Sequence, residues 1–213
     1  MKKGSGDREP VDKLYYEKMC LARGFNLVAG ADEVGRGPLA GPVVTAAVIM
    51  PLDGEIIEGI DDSKKLSAKK RERLAALIRE RAVAYSICRV ENGVIDEINI
   101  LQATMLCMKD SVERLSPCPD IVLTDGNMTL DIGIPQRSLV HGDALSYSIG
   151  AASILAKVYR DALMTEYAEE YPQYGFEKNK GYGTAAHIAA IRQYGLCPIH
   201  RVSFTKNFVP GDG

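Results

Sequence analysis

The sequence predicts an α/β domain with a helical C-terminal addition. Strand-like apolar runs alternate with segments whose apolar residues recur at helical spacing, and a last helical segment follows the final strand. No repeat or low-complexity stretch interrupts this order. With 213 residues, 46% of them hydrophobic, the chain can build one large domain or a domain with a smaller appendage.

The composition excludes several classes of protein. Five scattered cysteines without a Cys-x-x-Cys pair argue against a disulfide framework or a zinc site, and a reducing compartment suits them. No His-x-x-x-His pair occurs, so His187 and His200 are expected to lie on a helix and a loop without a partner. Neither a signal peptide nor a run of about 18 apolar residues is found, which predicts a cytoplasmic protein without membrane association.

Local signals define the elements. In chain order we expect a helix over 10–23, strands over 27–34 and 43–50, a helix after Ser67, a strand over 85–90, a helix over 99–115, strands over 121–123 and 138–140, a long helix after Asp143 and a helix over 184–194.

The boundaries follow from residues that start or stop helices and strands. Pro10 suits the first turn of the N-terminal helix, and Leu14, Cys20 and Leu21 line one of its faces. The first two strands are separated by an eight-residue turn rich in Gly and Pro, which predicts that they are neighbours in one sheet. Ser67 is the expected N-cap of its helix.

The last helices have equally clear boundaries. Pro117 and Pro119 end the helix over 99–115, and Thr184 is the expected N-cap of the final helix, which Gly195 ends.

Four acids follow uncharged strands and precede glycine-containing turns. They are Asp32, Glu33, Asp125 and Asp143. Two adjacent carboxylates about 4 Å apart repel by roughly 4 kcal/mol at a protein-like dielectric. Packing alone therefore does not explain why Asp32 and Glu33 are neighbours. Oxygen ligands from several strand ends suit hard divalent cations such as Mg²⁺ or Mn²⁺, which favours a two-ion phosphodiesterase.

Structural roles are the alternative for the same acids. Adjacent strand residues point to opposite faces, so Asp32 and Glu33 need a bend or a strand end to reach one ion. Asp143 would otherwise cap the following helix, Asp125 would begin a turn, and Glu33 would face solvent.

Three further features favour contact with a nucleic acid. The loop Gly35-Arg36-Gly37 allows close approach of a sugar-phosphate backbone, and the β-rich run after it excludes a dinucleotide-binding turn. Six cations over 64–73 surround a helix N-terminus, where positive charge opposes the helix dipole. Tyr182 lies between two glycines and can reach a nucleotide by stacking or hydrogen bonding. Each feature has a structural alternative: the loop would be a simple hairpin loop, the cations a solvated helix face, and Tyr182 an aromatic packed in a loop.

Together these blocks resemble the ribonuclease HII family, the type 2 ribonucleases H, from Leu27 to Phe204. The matching blocks are Asp32-Glu33-Val34-Gly35-Arg36-Gly37-Pro38-Leu39-Ala40-Gly41-Pro42-Val43, Asp62-Ser63-Lys64-Lys65-Leu66-Ser67, Asn99-Ile100-Leu101-Gln102-Ala103-Thr104-Met105, Asp125-Gly126-Asn127, Gly142-Asp143, Ala151-Ala152-Ser153-Ile154-Leu155-Ala156-Lys157 and Lys180-Gly181-Tyr182-Gly183-Thr184.

The resemblance implies a ribonuclease H-like mixed β-sheet flanked by helices. It divides the chain into an N-terminal accessory helix or tail over 1–25, a catalytic domain over 26–165 and a helical substrate-binding region over 166–213. It implies an endonuclease that cuts RNA in RNA/DNA hybrids and on the 5′ side of ribonucleotides embedded in duplex DNA. The products would carry 5′-phosphate and 3′-hydroxyl ends, and the implied roles are ribonucleotide removal and primer removal. Separately, we expect a monomer.

The resemblance also implies residue roles. The acids that would bind one or two Mg²⁺ or Mn²⁺ ions and catalyse are Asp32, Glu33, Asp125 and Asp143. The residues that would contact substrate are Gly35, Arg36, Gly37, Ser63, Lys64, Lys65 and Tyr182. Of these, the glycine-arginine-glycine loop would read the 2′-hydroxyl, Tyr182 would act at the ribose-to-deoxyribose junction, and the other three would contact the backbone.

Two positions depart from the family pattern, and two other functions stay open. His141 stands where lysine is expected and Asn179 where histidine is frequent, which affects substrate contacts and removes no proposed ligand. A non-catalytic module that binds RNA/DNA hybrids would tolerate loss of the four acids. A ribonuclease H-like DNA nuclease would use the acids without needing the glycine-arginine-glycine loop or Tyr182.

Overall fold

A mixed five-stranded sheet forms the centre of the molecule. The computed structural model describes residues 12–209. The strands are β1 (Val28–Val34), β2 (Val43–Ile49), β3 (Ala84–Val90), β4 (Ile121–Asp125) and β5 (Gln136–Leu139), in the spatial order β3-β2-β1-β4-β5. β1 pairs antiparallel with β2 and parallel with β4, so the predicted neighbourhood of the first two strands is confirmed.

Eight helices surround the sheet in the described part of the chain. They are α1 (Tyr15–Leu21), α2 (Ala68–Arg81), α3 (Asn92–Glu113), α4 (Gly142–Leu145), α5 (Tyr147–Glu170), α6 (Phe176–Asn179), α7 (Ala185–Tyr194) and α8 (Val202–Thr205). Short 3₁₀ turns occur at Ser63–Lys65 and Pro172–Tyr174. The predicted N-caps are confirmed, because Ser67 Oγ accepts from Lys70 N and Thr184 Oγ1 accepts from His187 N.

Between residues 12 and 209, none of the helices combines the length and the apolar character needed to cross a membrane.

Two predicted helices differ from the observed ones. α1 begins at Tyr15, and Pro10 lies outside the described residues. The buried residues of α1 are Glu17 and Cys20, whereas Leu21 is exposed. α3 begins seven residues before the predicted start at Asn99. Asn99 has a φ of 67°, and its Oδ1 accepts from Leu101 N and Gln102 N, so the predicted start of the helix is a kink inside a longer helix.

Helices cover both faces of the sheet. Along β2, Val44, Ala46 and Val48 pack in the core beneath α2 and α5, while Ala47 and Ile49 pack on the opposite face beneath α3. This alternation is the period of two that a strand imposes on its side chains. The division at residue 165 falls inside α5, and the proposed domain organisation stays a prediction.

α5 lies directly on β1 because Gly30 has no side chain. A Cβ at residue 30 would lie 2.1 Å from Ser148 C and 2.3 Å from Ile149 N, both backbone atoms that cannot rotate away. The first turn of α5 is therefore fixed against the strand that carries Asp32.

Gly30→Ala should lower the free energy of unfolding by about 3 kcal/mol or more, because the added methyl forces α5 away from β1. Urea denaturation measures this loss. Gly93→Ala is the matched control: a Cβ there meets nothing within 4 Å, and stability should stay unchanged or rise by up to about 1 kcal/mol. Equal stability of the two variants would contradict the assigned contact.

Candidate active site

Three carboxylates converge at the carboxyl ends of β1 and β4. Asp32 lies on β1, Asp125 is the last residue of β4, and Asp143 lies in α4. One oxygen from each lies within 4.8 Å of the others. β1 and β4 run parallel, so their carboxyl ends meet at one edge of the sheet.

The turn between β5 and α4 brings Asp143 to the other two acids. His141 has a φ of 60°, and the next amide, Gly142 N, donates to Asp125 Oδ1 over 2.6 Å. A Cβ at residue 142 would lie 2.7 Å from Ile149 Cδ1, so glycine allows this turn to pack against α5. The hydrogen bond therefore orients one acid and fixes the turn that carries another.

Burial and electrostatic repulsion together raise the pKa of Asp32 and of Asp143. Burial raises the pKa of Asp32 well above its ordinary value, and the neighbouring Glu33 and Asp125 carboxylates add to the effect. Burial and the same Asp125 raise the pKa of Asp143. Clustered carboxylate oxygens that disfavour one another's charge fit a hard divalent cation, which would relieve the repulsion.

Glu33 lies outside this group of three oxygens. β1 stays regularly paired with β2 through Glu33 and Val34, so the bend that would direct both adjacent acids to one point is absent from this strand. Asp32 faces α5, and the alternation of the strand directs Glu33 away from that helix. Glu33 Oε1 lies 3.5 Å from Arg36 Nη1. Burial raises the pKa of Glu33 and the Arg36 charge opposes that rise.

Buried Arg201 holds the glycine-arginine-glycine loop from behind. Its guanidinium donates to Gly35 O over 2.6 Å, to Arg36 O over 3.0 Å and to Gly41 O over 2.8 Å. Burial lowers the pKa of Arg201 to about 9. The loop conformation is thus set by a side chain that lies more than 160 residues further along the chain.

Arg160 joins the residues that follow this loop to the segment before Tyr182. It donates to Ala40 O over 3.1 Å, to Pro42 O over 3.0 Å and to Lys180 O over 2.9 Å. Burial lowers its pKa to about 10. No local pattern in the sequence identifies either arginine, although Arg160 lies among the buried residues of α5.

Tyr182 and Gly37 are neighbours. A Cβ at Gly37 would lie 3.7 Å from Tyr182 Cε1, and the exposed fraction of Tyr182 is 43%. Asn179 orients this segment, because its Oδ1 accepts from Gly181 N over 2.8 Å and its Nδ2 donates to Tyr174 O over 2.7 Å. The asparagine that departs from the family pattern therefore helps to shape the turn before Tyr182.

The 3₁₀ turn brings one cation to the acids. Partial burial lowers the pKa of Lys64, but the Asp32 and Asp143 carboxylates outweigh it, and the net pKa is raised. Lys65 is exposed and lies 3.8 Å from Asp62. Ser63 is buried, and its hydroxyl accepts from Ser153 Oγ over 2.9 Å.

The two histidines expected to lack partners form a pair, so that expectation is wrong. His187 Nε2 and His200 Nε2 are 3.0 Å apart, and His187 Nδ1 lies 2.9 Å from Tyr182 O. Cys197 N donates to His200 Nδ1 over 2.9 Å. The partners come from α7 and the loop before α8, a pairing that a search for two histidines on one helix cannot detect.

The sheet order and the acids at the ends of β1 and β4 define a ribonuclease H-like enzyme fold. A crystal structure of ribonuclease H2 from Pyrococcus horikoshii OT3 superposes with a TM-score of 0.71 at 26% identity, covering 85% of this chain and 96% of that one. Bst-RNase HIII, solved in complex with Mn²⁺, shares the fold with a TM-score of 0.66 at 20% identity, covering 91% and 69% of the two chains.

The particular family follows from the sequence comparisons. The family model described as Ribonuclease HII matches residues 29–207, and the chain belongs to that family. Ribonuclease HII of Ruminiclostridium cellulolyticum is 54% identical over 196 residues, which cover 92% of this chain and 76% of the relative. Ribonuclease HII of Caldicellulosiruptor saccharolyticus is 53% identical, covering 93% and 98%. The protein is therefore a ribonuclease H, an endonucleolytic hydrolase that acts on RNA/DNA.

Asp32→Asn should stabilise the protein in EDTA, because it removes a buried charge that two neighbouring carboxylates repel. We expect the Tm to rise by about 2–4 °C, the shift that about 1 kcal/mol produces in a domain of this size. Differential scanning calorimetry with and without Mn²⁺ measures this, and the wild-type Tm should rise more on adding Mn²⁺. The exposed Glu169→Gln should change neither value; a lower Tm for Asp32→Asn in EDTA would contradict the repulsion.

Proposed function

We propose that the protein hydrolyses the phosphodiester bond on the 5′ side of ribonucleotides, in RNA/DNA hybrids and at single ribonucleotides within duplex DNA. The observation that supports this most is the position of Asp32, Asp125 and Asp143, whose oxygens lie within 4.8 Å of one another. The loop at 35–37 and Tyr182 adjoin one another and supply a surface that can read the sugar.

The acids are assigned to divalent ions. Asp32, Asp125 and Asp143 would ligate them, and Glu33, at the end of the same strand, would complete the set when substrate is bound. Mg²⁺ or Mn²⁺, as one or two ions, would lower the pKa of the attacking water and stabilise charge on the leaving 3′-oxygen. Cleavage of that bond leaves a 5′-phosphate and a 3′-hydroxyl.

Substrate choice is assigned to the loop and to Tyr182. The carbonyls of Gly35 and Arg36 accept hydrogen bonds from Arg201, which leaves the backbone N–H groups of the loop to meet the 2′-hydroxyl. Tyr182 would pack against the sugar on the deoxyribose side of the junction.

The 3₁₀ turn is assigned to the phosphates. Lys64 and Lys65 would contact the backbone of the cut strand, and Ser63, whose hydroxyl is bonded to Ser153, would contribute its backbone N–H.

In the cell we assign the protein to the cytoplasm, acting as a monomer on hybrids and on duplex DNA that contains ribonucleotides. DNA replication leaves both substrates, as RNA primers and as misincorporated ribonucleotides, so the function belongs to primer removal and DNA repair.

Cleavage of three labelled duplexes tests the assignment: DNA with one ribonucleotide, an RNA/DNA hybrid and plain DNA, each with Mg²⁺, Mn²⁺ or EDTA. We expect metal-dependent cutting of the first two alone. Asp32→Asn should lower kcat by at least about 10³-fold with hybrid binding retained. Cutting of plain DNA would favour the DNA nuclease instead, and binding without cutting by the wild type would favour the non-catalytic module.

Gly37→Ala tests the loop separately. A Cβ there makes only an ordinary contact with Tyr182, so the Tm should stay near the wild-type value. The methyl would occupy space that the sugar needs, and we expect kcat/KM for the single-ribonucleotide duplex to fall about tenfold or more. Gly54→Ala, where a Cβ meets nothing within 4 Å, is the control. Unchanged kcat/KM for Gly37→Ala would exclude close approach of the sugar at this position.

A further inference from the structure

Lys13 connects two segments that border the acid cluster. Its Nζ donates to Asp61 Oδ1 over 2.7 Å and to Ala144 O over 2.5 Å, and its own carbonyl accepts from Tyr147 N over 2.8 Å. Asp61 leads into the 3₁₀ turn, while Ala144 and Tyr147 flank the junction between α4 and α5. One residue therefore bonds both to the segment before the 3₁₀ turn and to the backbone directly after Asp143.

The Lys13–Asp61 contact perturbs the carboxylate it reaches. Partial burial raises the pKa of Asp61, but the Lys13 ammonium and the Asp62 N–H outweigh it and leave the pKa below its ordinary value. The ion pair therefore favours the charged form of Asp61.

Glu17, one turn further along, bonds to the start of α5. It is fully buried, and its Oε1 accepts from Ser146 Oγ over 2.5 Å and from Ser148 N over 3.0 Å. A carboxylate at a helix N-terminus interacts favourably with the helix dipole and satisfies N–H groups that have no partner within the helix. Ser146 is itself the N-cap of α5, so Glu17 fixes the capping residue as well as the first turn.

The segments bonded to Lys13 and Glu17 are packed tightly around Asp143. A Cβ at Gly150 would lie 2.9 Å from Ile60 Cγ2 and 3.1 Å from Asp143 O. Asp143 precedes Ala144 in the short α4, so a shift of Ala144 O moves the backbone of the acid. The N-terminal segment is thus in a position to set the distance of Asp143 from the other two carboxylates.

We propose that Lys13 and Glu17 are positioning residues for the metal site: they fix the Asp143 turn, and Lys13 fixes the Asp61 segment relative to it. This assigns a role in the reaction to the N-terminal segment and rests on the proposed function of Asp143. A segment that only anchors the fold would change stability and leave the chemistry intact below the Tm.

Lys13→Met tests the proposal against Lys18→Met. Lys18 lies on α1, five residues after Lys13, and pairs with Asp12 over 2.8 Å; its exposed side chain has no hydrogen bond or ion pair to α4 or α5 among the described residues. For Lys13→Met we expect a kcat about tenfold lower and weaker Mn²⁺ binding by calorimetry, with the Kd for the hybrid in EDTA within about twofold of wild type. Lys13→Arg, which keeps both donated bonds, should recover most of the kcat.

Amide hydrogen exchange supplies a readout independent of cutting. In metal-free protein, exchange over 142–148 should be faster in Lys13→Met than in wild type or Lys18→Met. The proposal is overturned if Lys13→Met has the same kcat, Mn²⁺ affinity and exchange rates as the wild type. It is also overturned if Lys13→Met has a lower Tm but unchanged kcat and Mn²⁺ affinity.

Glu17 gives a second, independent pair of variants. Glu17→Gln keeps an accepting oxygen for Ser146 and Ser148 and should retain kcat, whereas Glu17→Met should lower kcat and Mn²⁺ affinity at temperatures where circular dichroism shows it folded. Equal kcat for the two variants would contradict the role of Glu17.

Asp143→Asn separates this proposal from the assignment of the acids. If Asp143→Asn cuts at the wild-type rate, the acid assignment fails. If it is inactive while Lys13→Met matches Lys18→Met, only the positioning role fails.

Discussion

The close contact between α5 and β1 at Gly30 is the constraint on which the site depends. With no side chain at residue 30, the backbone of Ser148 and Ile149 lies against the strand, and the axis of α5 is fixed relative to Asp32, two residues further along the same face. Any side chain at residue 30 would separate the helix from the strand. The positions of all other groups that approach the acids from this helix follow from that contact.

α5 then collects the parts of the site along its length. At its start, Ser146 accepts the N–H of Ile149 and bonds to Glu17. Further along, Ser153 holds the 3₁₀ turn through Ser63, and Arg160 bonds to Pro42 O, after the glycine-arginine-glycine loop, and to Lys180 O, before Tyr182. Packing against α5 thus keeps the three carboxylates close together although they repel one another. A flexible segment would relieve this repulsion by moving apart, whereas the packed scaffold does not allow that movement.

Features that neighbouring residues signal could be predicted from the sequence. Features that depend on contacts between distant parts of the chain could not. Strand ends, caps and the acids that follow strands are local signals, and Asp32, Asp125 and Asp143 do meet. The separate position of Glu33 depends on β1 keeping its register with β2 to the last residue, which no local pattern specifies. The pairing of His187 with His200 depends on how α7 packs against the C-terminal loop.

The two buried arginines, Arg160 and Arg201, have an electrostatic effect in addition to their hydrogen bonds. Their hydrogen bonds in the described part of the chain go to backbone carbonyls, so the guanidinium groups are held without a carboxylate accepting from them. A pKa of about 9 for Arg201 and about 10 for Arg160 keeps both charged near pH 7. Two positive charges therefore lie behind the loop at 35–37, in a medium where water screens them poorly. Under the proposed function they would favour an anionic backbone at the loop, beside acids that would otherwise repel it.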